Sequence, residues 1–206
     1  MDSRRLACFL LGAWIACSLF MTAVATTNFR MVDQLLDLPT VPAAAKQFQA
    51  MGHTAARHMM RHQASEINRY FFEAWGLAQM ALGFCVLGVI VFGVRARSSQ
   101  LKAMLALAGL AVVLVIVNQF VITPTIVGVG RVLDFAEPDQ FAPERGRFWN
   151  YHRAYSTIEV VKLLVCVTLT VFMTMSGGGK RRRAGSRDDE PEVRAMDLRR
   201  ERVVSR

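Results

Sequence analysis

Apolar and polar positions in this chain fall into blocks rather than alternating. Four near-continuous apolar runs, 6–26, 74–94, 103–123 and 154–175, are separated by segments dense in charge, proline and glycine. Each run is about 20 residues, the length at which a helix rising about 1.5 Å per residue crosses about 30 Å of hydrocarbon. None is long enough to cross twice. In lipid only helices and closed barrels satisfy their own backbone groups, and the two-residue alternation of a barrel strand is absent. The pattern predicts an all-α fold: a four-helix transmembrane bundle over 1–175, then a tail over 176–206.

Composition sharpens this. Apolar types make up 53% of the 206 residues and charged types 20%, against about 25% charged in soluble domains. Because the apolar excess is gathered into the four runs, it excludes a disordered chain, a disulfide scaffold and an ordinary soluble enzyme. The formal net charge of +9 reads mainly as a topology signal. With four spans both termini share a side. That side carries Arg4, Arg5, Arg95, Arg97, Lys102 and the basic residues of the tail, including Lys180 to Arg183 directly after the last span. The positive-inside rule places both termini in the cytoplasm of a bacterial-type plasma (inner) membrane, with 28–70 and 124–153 as outward loops. Ala23-Val24-Ala25 resembles a signal-peptide ending, but the apolar run before it is longer than the 7–15 residues usual for one, so the first run reads as a retained helix.

The outer segment 28–70 is broken by Pro39 and Pro42. Thr40 and Pro42 suit the opening of a helix, and 43–70 reads as an extra amphipathic helix in the first outer loop, with Gly52 its weak point. The segment 124–153 is rich in turn formers. The tail opens on three glycines and continues in mixed charge, a composition that predicts disorder. Its basic cluster suits anionic lipid headgroups at about 1 kcal/mol per residue. Nothing folded supports nucleic-acid binding. The expected partners are membrane lipids and an unidentified protein.

Ionisable residues inside spans are costly and normally face protein or water. Glu159 and Lys162 lie three apart on one face of the fourth run. Glu73, Gln79, Asn118 and Gln119 lie at comparable depth in the second and third, and His152 and Tyr155 lead into the fourth. All map to the outer half of the bilayer; the inner half of every span is almost purely apolar. Two readings stand: an outward-facing polar binding pocket, or a structural clamp that fixes helix register.

His58, His62 and Glu66 are spaced four apart and share a helical face, a spacing able to hold zinc, copper or haem. Arg57 and Arg61 beside them oppose a cation, no HEXXH occurs, and a solvated polar face is the plainer reading. Cys8, Cys17, Cys85 and Cys166 all lie within spans, show no metal spacing, and read as packing residues. Glycines and alanines along the second and third spans suit close helix approach in lipid.

Three local motifs carry a resemblance to a known family: Leu11-Gly12-Ala13-Trp14 in the first span, Asn118 through Thr123-Pro124-Thr125-Ile126 at the end of the third, and Phe148, His152 and Ser156 at four-residue spacing before the fourth. Over about residues 5–175 the chain resembles the domain-of-unknown-function 4149 family, four-helix membrane proteins akin to transmembrane protein 205. The resemblance implies membrane location and four helices without implying a reaction, and it singles out Pro124, His152 and Ser156.

No nucleophile–base pair stands at a recognisable spacing, so the sequence reads as non-enzymatic and without a cofactor. The expected function is small-ligand binding, transport or scaffolding through the outward polar pocket. The alternative is a membrane redox component holding haem, quinone or metal through His58, His62 or His152.

Overall fold

The computed structural model describes residues 2–37, 42–136 and 140–176, and these residues are helical throughout their ordered elements. The proposed tail beyond Ser176, together with Pro39 and Thr40, lies outside the described residues. Helix α1 covers Ser3–Asp37, α2 Pro42–Met51, α3 His53–Gly93, α4 Ser98–Val117, α5 Thr123–Leu133 and α6 Ala142–Met175. Four continuous helical rods are long and apolar enough to cross a membrane: α1, α3, α4 running on into α5, and α6. The four predicted runs fall within them, save Val94 at the C-cap of α3.

The rods form an antiparallel bundle in which α1 packs on α3 and α6, and α4 packs on the same two helices from the other side. At the end of the bundle that holds the start of α1 and the α3–α4 turn, Ala7, Leu11, Ile90, Val94, Met104, Leu169 and Met173 close the core. There Arg4 Nη2 donates to Arg95 O at 3.2 Å, tying the start of α1 to the α3–α4 turn. Only 22% to 33% of each rod's most apolar window is buried within the protein, so most of its apolar surface looks outward. Phe92, 92% exposed, is the extreme case. A water-soluble bundle hides such a stripe; a bundle solvated by lipid presents it.

Three expectations are corrected. The helix expected over 43–70 is divided at Gly52, whose φ of 85° and ψ of 138° suit glycine alone. Its larger part is the outward extension of α3, collinear with the second span, and only α2 stands apart from the rods. The outer loop expected over 28–70 is therefore largely helix. The loop expected over 124–153 shrinks likewise to the connection at 134–141. The physical reason is at Pro124, which lacks an N–H and presses on the carbonyl four residues back. The chain accommodates it by widening into a π-helical turn, Asn118–Ile122, where the Thr123 N–H bonds Asn118 O, and then resumes as α5.

Candidate functional site

The inward face of α6 carries Phe148, His152, Tyr155, Glu159 and Lys162, then Cys166, Leu169 and Met173, at alternating spacings of three and four. That stripe is aromatic outside, ionised in the middle and apolar inside. Helical side chains lean toward the N-terminus of their helix, which in α6 is the Ala142 end. Lys162 thus extends its ammonium toward Glu159.

Lys162 is fully buried, at 0% exposure. Its Nζ donates to Glu159 Oε2 at 2.5 Å, to Ser18 Oγ at 3.3 Å and to Gln79 Oε1. An ammonium has three N–H donors, and each has an acceptor. Gln79 Oε1 also accepts from Trp14 Nε1 at 3.1 Å. The Trp14 ring presents its face to Nζ, 5.8 Å from the centroid. Asn118, at the head of the π-turn, donates through Nδ2 to Glu159 Oε1 at 3.2 Å, while its Oδ1 is buried without a partner. All four rods therefore meet at one buried polar node. Counted from the nearer ends of their runs, Gln79, Asn118 and Glu159 lie five residues in, and Ser18 and Lys162 eight, so the node sits about 7–12 Å along the helices from those ends.

On the α5 side of the node lies a half-enclosed cleft of about 100 Å³ between α1, α3, α5 and α6. Phe29, Phe72, Phe148 and Tyr155 form its aromatic wall, with His152 and Asn68 among the polar lining. Asn68 is committed: it accepts from Asn28 at 2.9 Å and donates to Ala25 O at 3.2 Å. The His152 ring lies parallel to Phe148, centroids 5.9 Å apart, and edge-on to Trp149 at 5.7 Å. Among the described residues, no hydrogen bond engages the ring nitrogens of His152 or the hydroxyl of Tyr155.

Beyond the membrane-spanning part of the rods, an ionic clasp joins α3 to the end of α5. Arg69 binds Asp134 through two hydrogen bonds, 2.7 and 2.8 Å, with both side chains at most 10% exposed. Glu66 accepts from Arg69 at 2.5 Å and from Arg131 at 3.3 Å, and His62 Nδ1 lies 2.7 Å from Asp134. Gly130 allows the Arg69 guanidinium to pack, since a Cβ there would stand 3.1 Å from Nη2. Hydrogen bonds from Arg131 and then Arg69 hold the Glu66 carboxyl below its ordinary value. Burial opposes the Arg69 charge, but Asp134 and Glu66 more than offset it, so the guanidinium is held more firmly protonated.

Of the pocket residues expected from sequence, the structure unites Gln79, Asn118, Glu159 and Lys162. His152 lines the cleft instead. Gln119 turns its amide over Gly76, with Nε2 3.4 Å from Glu73 O. The Glu73 side chain is exposed and outside the node. Ser156 faces away, its hydroxyl donating to His152 O at 3.0 Å within the helix. The histidine motif separates as well. His62 and Glu66 come together with Asp134, their ligand atoms within 4.8 Å of one another, and His58 is not in that group. Both carboxylates are bound by arginine there, so the donor set is already neutralised.

Sequence reasoning missed Trp14, Ser18, Arg69 and Asp134. Trp14 and Ser18 continue Ala7 and Leu11 at the same three-to-four spacing along the buried face of α1, and that periodicity was the available signal. Asp134 carried none, because it meets Arg69 only through the folding of α5 onto α3. No family model matches this chain, and no curated protein or solved structure matches it either.

Proposed function

We propose that this is a multi-pass plasma-membrane protein that binds a small lipid-soluble ligand, for transport or presentation, in the outward cleft. Both termini lie in the cytoplasm in this reading, and α2 rests at the outer membrane surface. The carrying observation is the aromatic-walled cleft that holds uncommitted polar groups, among them the His152 ring and the Tyr155 hydroxyl, next to a polar node whose donors are already taken. Small-molecule sites combine apolar walls with a few placed polar groups in this way. The ligand is an apolar body with one hydrogen-bonding head: the walls take the body, and His152 and Tyr155 take the head. The node acts beneath it as a clamp holding the four helices in register. This reading is a non-enzymatic one. Assignment to the domain-of-unknown-function 4149 family is part of the same proposal and rests on the Asn118-to-Ile126 and Phe148-His152-Ser156 motifs.

The runner-up, a redox component, is favoured at one point: a quinone ring fits this chemistry, with carbonyl oxygens for His152 and Tyr155. The test is organic extraction and mass spectrometry of molecules co-purifying with the native chain and with Val127→Trp, which fills the cleft. A molecule near one per protein, lost in the variant, is expected, and its mass separates a quinone from other lipids. Identical extracts from both proteins would overturn the proposal.

A further inference from the structure

Ligand binding in the cleft makes no use of the buried ammonium of Lys162, yet its surroundings have a specific chemistry. Glu159 Oε2, Ser18 Oγ and Gln79 Oε1 surround Nζ, and the face of Trp14 lies 5.8 Å away. These groups come from α1, α3 and α6, so three of the four rods build the cage. Oxygen acceptors together with an aromatic face are the elements that recognise ammonium ions. A further oxygen, Asn118 Oδ1, is buried without a donor in the same amide whose Nδ2 holds Glu159. Lys162 reaches the cage on a flexible four-carbon stem. Glu159 is the one formal charge that remains if the lysine head leaves.

We infer that this cage is a binding site for a monovalent cation of the ammonium class, filled in this conformation by the protein's own Lys162. The ligand class follows from the donors. Magnesium requires near-ideal octahedral ligation and calcium about six to eight oxygens; three or four oxygens and a ring suit neither. Ammonium is satisfied by hydrogen bonds to the same acceptors that Lys162 uses, potassium matches it in size and charge, and sodium is served less well. The site is distinct from the cleft, whose lining is mostly aromatic and aliphatic, and it stands whether or not the cleft holds a lipid.

Lys162→Met keeps the apolar stem and removes the charged head. The purified variant is melted in ammonium, potassium and sodium chloride at constant ionic strength, with bulky choline as the balancing cation. Ammonium at ten times its Kd is expected to raise its melting temperature by about 3–6 °C, with potassium next and sodium last. The native chain, its cage already filled, shows no such order. Lys162→Met combined with Glu159→Gln loses the response. Equal melting of Lys162→Met in ammonium and choline overturns the inference, as does the same ammonium shift in the native chain. Should Lys162→Met fail to fold, Lys162→Gln serves: it removes the charged head, puts a neutral hydrogen-bonding one in its place, and is expected to melt in the same cation order. A flat response there overturns the inference equally. Neither result bears on the extraction experiment, so failure of the cation site and failure of the cleft remain distinguishable.

Discussion

Lys162→Met and Glu159→Gln, made singly and together, form a double-mutant cycle on the buried pair. With Lys162 at 0% exposure and the Glu159 side chain at 17%, water screens the pair little. Removing one partner of a buried pair costs about 3–5 kcal/mol, because the other charge is left uncompensated. The insertion penalty of a lone charge at mid-bilayer, about 2.5–3.5 kcal/mol, points to the same size. Each single variant is therefore expected to destabilise by about 3 kcal/mol. Lys162→Met leaves Glu159 with Asn118 alone, whereas Gln79 keeps its Trp14 donor. Glu159→Gln leaves a buried ammonium with only neutral acceptors. The double variant removes both charges, and losing both partners of a pair is far less costly than losing one. It is expected to cost about 1–2 kcal/mol, so the sum of the singles exceeds the double by at least about 2 kcal/mol. Reversible unfolding in mixed detergent–lipid micelles, followed by helical circular dichroism, measures all four corners. Additivity within about 0.5 kcal/mol would refute the claim that these charges are desolvated as a unit.

Two further outcomes test the packing and the clasp. A Cβ at Gly83 would meet Val112 Cγ2 at 2.8 Å and Trp14 Cη2 at 3.0 Å, whereas Gly88 has nothing within 4 Å. Gly83→Ala is expected to destabilise by about 1–3 kcal/mol and Gly88→Ala to be neutral or slightly stabilising; equal melting temperatures would show that Trp14 is not locked by Gln79. Because Glu66 is held below its ordinary value of 4.5 when folded, its contribution is fully present above that pH and is lost as pH falls through the lower folded value. The melting gap between native chain and Glu66→Gln should thus stay constant from neutral pH down to about 4.5 and close below it; a gap that widens on acidification would reverse the assigned sign.

The four spans were legible because lipid imposes length and apolarity on any helix that crosses it, and both are linear properties of a sequence. That Gln79, Asn118, Glu159 and Lys162 belong together was legible for a related reason: antiparallel helices of equal length make distance from the outer end a shared coordinate. The same logic could not show which way a side chain faces around its helix. It therefore grouped Glu73, which the fold turns outward, with residues that turn inward. The local rule for proline, one bond removed and one clash added, agrees with the loop expected from residue 124. The π-turn answered both by widening the backbone by one residue per turn, and α5 then carried Asp134 back over α3 to Arg69.

The chain by itself determined four helices long and apolar enough to cross a membrane and the register of the charges along them, since both follow from residue type and position along a line. Only the tertiary structure decided that Trp14 and Ser18 complete the coordination of Lys162, that Asp134 and not His58 joins His62 and Glu66, and that a cleft opens above a closed node. Those outcomes depend on helix rotation and on partners as many as 144 residues apart, which no local pattern encodes.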